Sequence, residues 1–164
     1  MRHFPLAVAL GVFASGCATI SSKPARAQEA AQDMNMNARF GRSQLVAERI
    51  APTEKGDYTR THHAWGTDVR VTDAEMDGFH MKPGDEEAEV NVRVAWYRPD
   101  EGELRTTVLR QTWKDYKGAW LLSHEERADG DVGLLGERIV ILKDDTPRPP
   151  AQFPTIRIGA NEER

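Results

Sequence analysis

Ala88, Val90, Val92, Val94 and Trp96 occupy every second position, with Glu89, Asn91, Arg93, Ala95 and Tyr97 between them. Successive side chains of a strand leave on opposite faces, so this period of two predicts a strand with one apolar and one wetter face. A sheet built on such a strand must bury its apolar side under another layer. The flanking segments supply more strands. Val69-Arg70-Val71 alternates and predicts a strand running to Met81, with an irregularity near Ala74. Lys82-Pro83-Gly84-Asp85 then turns the chain. After a second turn at Pro99-Asp100-Glu101-Gly102, the run Leu104 to Trp113 returns antiparallel, rich in Thr, Val and Leu. Lys114 to Gly118 reads as a hairpin loop, and Trp120 to about Glu126 as the last strand of the meander. Trp113 and Trp120 flank that loop and are expected to pair across it, worth about 0.5–1 kcal/mol beyond burial.

The covering layer comes from the residues before the meander. Ala25 to about Ala38 is mostly Ala, Gln, Glu, Met and Asn, and Ala27, Ala31, Met34 and Ala38 form a stripe at helical spacing. Gly41 ends that helix near Phe40. Ser43 is suited to cap a second helix, Gln44 to Ile50, with Leu45, Val46 and Ile50 facing inward. Pro52 favours the first turn of a third helix, which would carry Tyr58, His62 and Trp65 and end at Gly66; Gly56 weakens it. After the meander, Asp129-Gly130-Asp131 begins a loop, and Arg138 to Leu142 is β-prone enough for a fifth strand. Pro147, Pro149, Pro150 and Pro154 predict an extended, mobile tail over residues 144–164. No internal repeat is present.

Helices first and an antiparallel four-stranded meander afterwards define an α+β class, with residues 25–143 as one domain. The stretch Gln28–Trp65, followed by the strands Val90–Trp96, Leu104–Trp113 and Trp120–Leu122, resembles the cystatin-like, nuclear transport factor 2-like fold. The hairpin from Gln111-Thr112-Trp113 to Gly118-Ala119-Trp120 is especially similar to the late hairpin of its small members. The resemblance covers roughly residues 25–127 and implies a curved, cone-like sheet. It names no activity, because this fold hosts enzymes, ligand binders and assembly modules.

The N-terminus carries a different signal. Met1, Arg2 and His3 precede an apolar run from Phe4 to Ala14, and Ala14-Ser15-Gly16-Cys17 follows at its exit. As a helix that run reaches only about 16 Å, against a hydrocarbon core of about 30 Å. Pro5 also argues against a permanent span, and the arrangement is that of an export signal. Ala14-Ser15-Gly16-Cys17 resembles the lipobox of bacterial lipoproteins, although Ala14 stands where a larger aliphatic residue is commoner. The resemblance implies removal of residues 1–16, lipid attachment at Cys17, and a tether over residues 17–24. Ordinary cleavage after Gly16 or after Ala25-Arg26-Ala27 is one competing reading, the latter site lying far beyond the apolar run, and an uncleaved hydrophobic N-terminus is the other. Cys17 is the chain's one cysteine, so no intrachain disulfide can form. Ala18, rather than Asp, follows it and leans toward outer-membrane sorting by analogy with the enterobacterial rule.

The net charge of −4 argues against a nucleic-acid partner, since phosphate binding needs a basic face. Adjacent His62 and His63 point about 100° apart on a helix and cannot both ligate one metal; His80 or His124 would have to be brought to them. Asp129-Gly130-Asp131 lacks the remaining ligands of a calcium loop and reads as a solvated turn. Ser123-His124-Glu125 offers triad types in sequence, but neighbours on a strand point to opposite faces. No phosphate-cradling glycine loop and no cofactor motif is found. Enzymes of the resembled fold place a carboxylate or histidine with a tyrosine in an apolar pocket, for which Asp73, His62, Tyr58 and Tyr97 are the candidates. The sequence thus predicts a lipid-anchored envelope protein, its domain a non-catalytic binding or assembly module contacting an envelope protein or a small ligand. A ligand-binding or acid–base catalytic cone is the alternative. A cavity with a buried Asp or His would favour the latter, and a filled core with an exposed apolar patch the former.

Anchoring through Cys17 has a direct test. Cys17→Ser should abolish incorporation of radiolabelled palmitate and release the protein from membranes, because a hydroxyl cannot form the thioether. Equal labelling of variant and wild type would sink the lipobox reading.

Overall fold

A computed structural model describes residues 22–138. Three helices precede four strands: α1 (Lys23–Arg39), α2 (Ser43–Glu48), α3 (Lys55–Thr61), β1 (Arg70–Met81), β2 (Glu87–Tyr97), β3 (Leu104–Tyr116) and β4 (Ala119–Gly130). The strands form one antiparallel sheet in the order β1-β2-β3-β4, with the helices on one face, which is the expected α+β meander. Cys17, the leader, the fifth strand beyond Arg138 and the Pro-rich tail lie outside the described residues.

The period of two in β2 translates directly into burial: Ala88, Val90, Val92, Val94 and Trp96 are all buried against the helical layer. Their neighbours in register continue that face, with Val92 opposite Leu109 and Ala88 opposite Trp113. α1 lies across all four strands. It can approach closely because Ala27, Ala30 and Ala31 present almost no side-chain bulk, while Met34 fills the remaining gap. Ser22 caps the helix from the position before it, so the helix starts inside the expected tether, two residues ahead of Ala25. Its end is a Schellman closure: Gly41 at φ +67° donates to the Ala38 carbonyl, and Arg42 to that of Asn37.

The two short helices depart from expectation. Ser43 is the first residue of α2 and makes no cap; Leu45 is exposed, and Val46 is the helix's buried residue. Six residues make less than two turns, so one inward position is what the geometry supplies. Ile50 reaches the core by another route. Past α2 the chain extends and bridges β4, Ala51 donating to the Leu122 carbonyl and Leu122 to that of Arg49, both at 2.8 Å. α3 starts three residues after Pro52 and stops at Thr61, with His62 as its C-cap. Trp65 therefore sits in a turn beyond the helix, where its Nε1 donates to the Leu134 carbonyl at 2.9 Å.

Bulges shape the sheet. In β1 the register shifts between Val71 and Asp73 and between Met76 and Gly78, on either side of Ala74, where one irregularity was expected. In β4 it shifts opposite Thr112/Trp113, leaving Ser123 as an extra residue, and again opposite Val108/Leu109. The β3–β4 turn is just Lys117-Gly118, both with positive φ as a type I′ hairpin requires. Trp113 consequently faces Leu122 and Trp120 faces Asp115. The two tryptophans are both buried but are not the expected cross-strand pair. Asp129 and Gly130 end β4 rather than opening a loop, and Asp131 ties back to β3 through the Thr106 backbone.

Gly130 marks the tightest backbone approach, since a Cβ there would lie 2.3 Å from the Thr106 carbonyl oxygen at φ +82°. Gly102 has a similar φ of +70° with open space around it. Gly102→Ala should cost about 1 kcal/mol for the left-handed backbone alone, whereas Gly130→Ala should cost about 3 kcal/mol or more. Urea denaturation of the two variants measures the difference, and equal costs would mean the approach at Gly130 is misplaced.

Candidate functional site

His62 leads into the most distinctive chemistry of the fold. Its ring stacks on Tyr58, with centroids 3.7 Å apart and planes 9° from parallel, and tilts against Trp65 at 4.5 Å. Nδ1 lies 2.9 Å from the Tyr58 carbonyl. The Thr61 hydroxyl lies 3.0 Å from the same nitrogen, so Nδ1 has both an acceptor and a hydroxyl partner within reach. Nε2 faces Glu125 Oε1 at 2.9 Å, both side chains being almost fully buried at 7% and 4% exposure. The contact lies off the line an Nε2–H bond would take, and neither atom has another partner among the described residues.

Glu125 continues the chain on its other oxygen. Oε2 accepts from Gln111 Nε2 at 2.7 Å. Gln111 and Asn35 exchange reciprocal amide bonds of 2.8 and 3.0 Å, and Gln111 Oε1 also accepts from Trp113 Nε1 at 3.2 Å. Gln111 is fully buried, and every donor and acceptor position of its amide is used. Glu125 points inward only because of the Ser123 bulge. Trp120 and Leu122 face the core, and uninterrupted alternation would send His124 inward and Glu125 outward. With the extra residue, Glu125 pairs with Gln111 on the core side and His124 goes to the exposed face. Re-aiming one side chain is what a bulge does.

Beside His62 opens a cavity of about 720 Å³ between the end of α1, α2, α3 and the start of β1. Val46 and Ile50 line its buried part; Tyr58 and Trp65 form the half-buried wall beside the His62 ring; Phe40, Lys55 and Arg70 are exposed members. Tyr58 keeps part of its ring on this wall yet sits deep among protein atoms. Burial first, and then the charge of Glu125, push its hydroxyl well above its ordinary value. Trp65 is held from behind by the turn at residues 132–137, whose Leu134 is buried. Glu137 closes that turn. Burial pushes its carboxyl up, but bonds from the Leu135 and Gly133 N–H groups and from Arg127 outweigh this and hold it below its ordinary range.

Of the residues singled out from sequence, His62 and Tyr58 meet at this cavity, and Asp73 and Tyr97 do not. Asp73 pairs with Arg39 at 2.9 Å in a separate polar cleft between α1 and β1. Tyr97 lies on the sheet face away from the helices. His63 is exposed, with Nδ1 on the Arg60 carbonyl. His80 and His124 are exposed strand residues, and His124 comes no nearer than 3.9 Å to Glu54 and Glu126. Among the described residues, no three His, Cys, Asp or Glu side chains converge as metal ligands would. Sequence reasoning did not single out Glu125 as His62's partner, nor Gln111 and Asn35. Gln111 did carry a signal, a polar residue at a core position between Leu109 and Trp113.

The polar chain can be probed by cutting it. Glu125→Leu strands His62 and Gln111 Nε2 in the core and should cost about 3–5 kcal/mol. Adding His62→Phe removes the other end of the pair while keeping the stack on Tyr58, so the double variant should be more stable than Glu125→Leu alone. A urea-denaturation double-mutant cycle reads the coupling; strict additivity would mean that the two groups do not interact.

No known protein family matches this chain, and no curated protein does. One solved structure is similar: the solution structure of a SEC-C motif containing protein from Rhodopseudomonas palustris. It shares 16% identity with a TM-score of 0.48, over 57% of this chain and 72% of the other.

Proposed function

We propose that this protein is a non-catalytic binding module held at the bacterial envelope by lipid on Cys17, and that the helix-side cavity takes a small molecule with an apolar body. The observation that carries the reading is the union of that cavity with a histidine whose Nδ1 faces the Tyr58 carbonyl and whose Nε2 faces the buried Glu125 carboxylate rather than the cavity mouth. A volume of about 720 Å³ is of the size small-molecule sites have. A general base needs a nitrogen turned toward the proton it removes; His62 instead offers its ring edge and the stacked Tyr58. Asp73, the other candidate base, faces Arg39 in a different cleft. These features favour binding over acid–base chemistry, and a ligand over a purely protein partner. The cone-like resemblance agrees with this use, because its members carry pockets between helices and sheet. None of the described helices is long and apolar enough to cross a membrane; the proposed anchor is the lipid on Cys17.

A neutral fluorescent probe, N-phenyl-1-naphthylamine, tests the cavity without presuming a charge. The full-length chain should bind it saturably. Ala47→Trp and Thr67→Trp, which place bulk on the cavity wall, should each weaken binding about tenfold with little change in melting temperature. Absence of saturable binding, or equal binding by both filled variants, would overturn the reading.

A further inference from the structure

Resting on the reading of the cavity as a binding site, we propose that its ligand is a single-chain anionic amphiphile, a carboxylate or phosphate head on an apolar body. The chain as a whole is acidic, with 26 Asp and Glu against 22 Lys and Arg. The cavity inverts that balance. Arg39, Lys55 and Arg70 line it together with His62 and His63, and no carboxylate side chain does.

The three cations are not equivalent. Arg39 is already paired with Asp73 at 2.9 Å. Lys55 and Arg70 take part in none of the ion pairs among the described residues. Many other cations of the fold are satisfied by a carboxylate, as in Arg49–Asp33, Arg93–Asp77 and Arg127–Glu137. Two unpaired cations therefore share one concavity, and the carboxylates that could quench them are absent from its walls. A cationic ligand would meet only like charge there.

The remainder of the wall sets the rest of the ligand. Val46 and Ile50 are buried, and Trp65 lies half-buried on the same wall. Lys55 and Arg70 are exposed. An amphiphile fits this gradient with its head among the solvated cations and its chain on Val46, Ile50 and Trp65. Exposed charges supply selectivity more than affinity, and salt screens them. The apolar body would provide most of the binding, and the sign of the head would decide which molecule is kept. The same head chemistry occurs on a free fatty acid and on a single-chain phospholipid.

Displacement of the neutral naphthylamine probe from the full-length chain separates these terms. Decanoate and decyl phosphate should displace it at concentrations about tenfold lower than decanamide, and decylammonium should be the weakest of the four. The preference should shrink as salt rises. Lys55→Gln combined with Arg70→Gln should bring decanoate and decanamide together, and a thermal melt close to that of the wild type would show that the variant is folded. A stronger response to decyl phosphate than to decanoate would identify a phospholipid-type head, and the reverse a fatty-acid head. Equal displacement by decanamide and decanoate would overturn the anionic assignment, as would a preference that survives in the double variant. In either case, saturable probe binding would leave the cavity itself intact as a binding site.

Discussion

An imidazole, a carboxylate and two carboxamides run from α3 through the sheet to α1, and the helical layer depends on them. α3 has only seven residues and no buried position of its own. A helix that short has no independent stability in water, so its place must come from tertiary contacts. His62, stacked on the helix's own Tyr58, supplies one at its C-cap by facing Glu125 of β4. The other end of the chain joins α1 to β3 through the Asn35–Gln111 amide pair. Buried polar groups connected in this way are costly when partly satisfied and specific when fully satisfied. The wall of the cavity thus rests on these buried polar contacts as much as on packing.

Sheet and helix were legible to different depths. The alternation of β2 needs nothing but the pleat to become a buried face, and the small-residue stripe of α1 needs only the helical period. The short helices were harder because their limits are set by contacts rather than propensity. Ile50 leaves α2 to bridge Leu122, and His62 ends α3 where its ring meets Glu125. The site was half visible. Tyr58 and His62 could be named from residue type, but Glu125 turns inward through one extra residue at Ser123, which no local pattern marks. Asp73 shows the converse: its residue type suited catalysis, while its place beside Arg39 commits it to an ion pair.

The face of the sheet away from the helices carries a lattice of charge. Arg110 lies between Glu89 and Glu126 at 3.6 and 3.2 Å, Arg93 meets Asp77, and Glu87 meets both Lys82 and Lys114. Exposed pairs of this kind add little stability. They let one face stay hydrated, as antiparallel sheets permit. The acidity of the chain is distributed over such surfaces, and this is the background against which the carboxylate-free cavity stands out.

The two bulges in β1 have a consequence beyond the shape of the sheet. β1 is an edge strand, and an edge with an unbroken row of free N–H and C=O groups is a template on which a neighbouring molecule can add a strand. Breaks at Thr72 and Asp77 interrupt that row twice within twelve residues, and Asp73, Glu75 and Asp77 place charged side chains along it. Molecules tethered side by side on a surface meet one another far more often than molecules free in solution. If the proposed lipid anchor crowds copies of this chain on a membrane, an edge that refuses to template would keep them from zipping into a continuous ribbon.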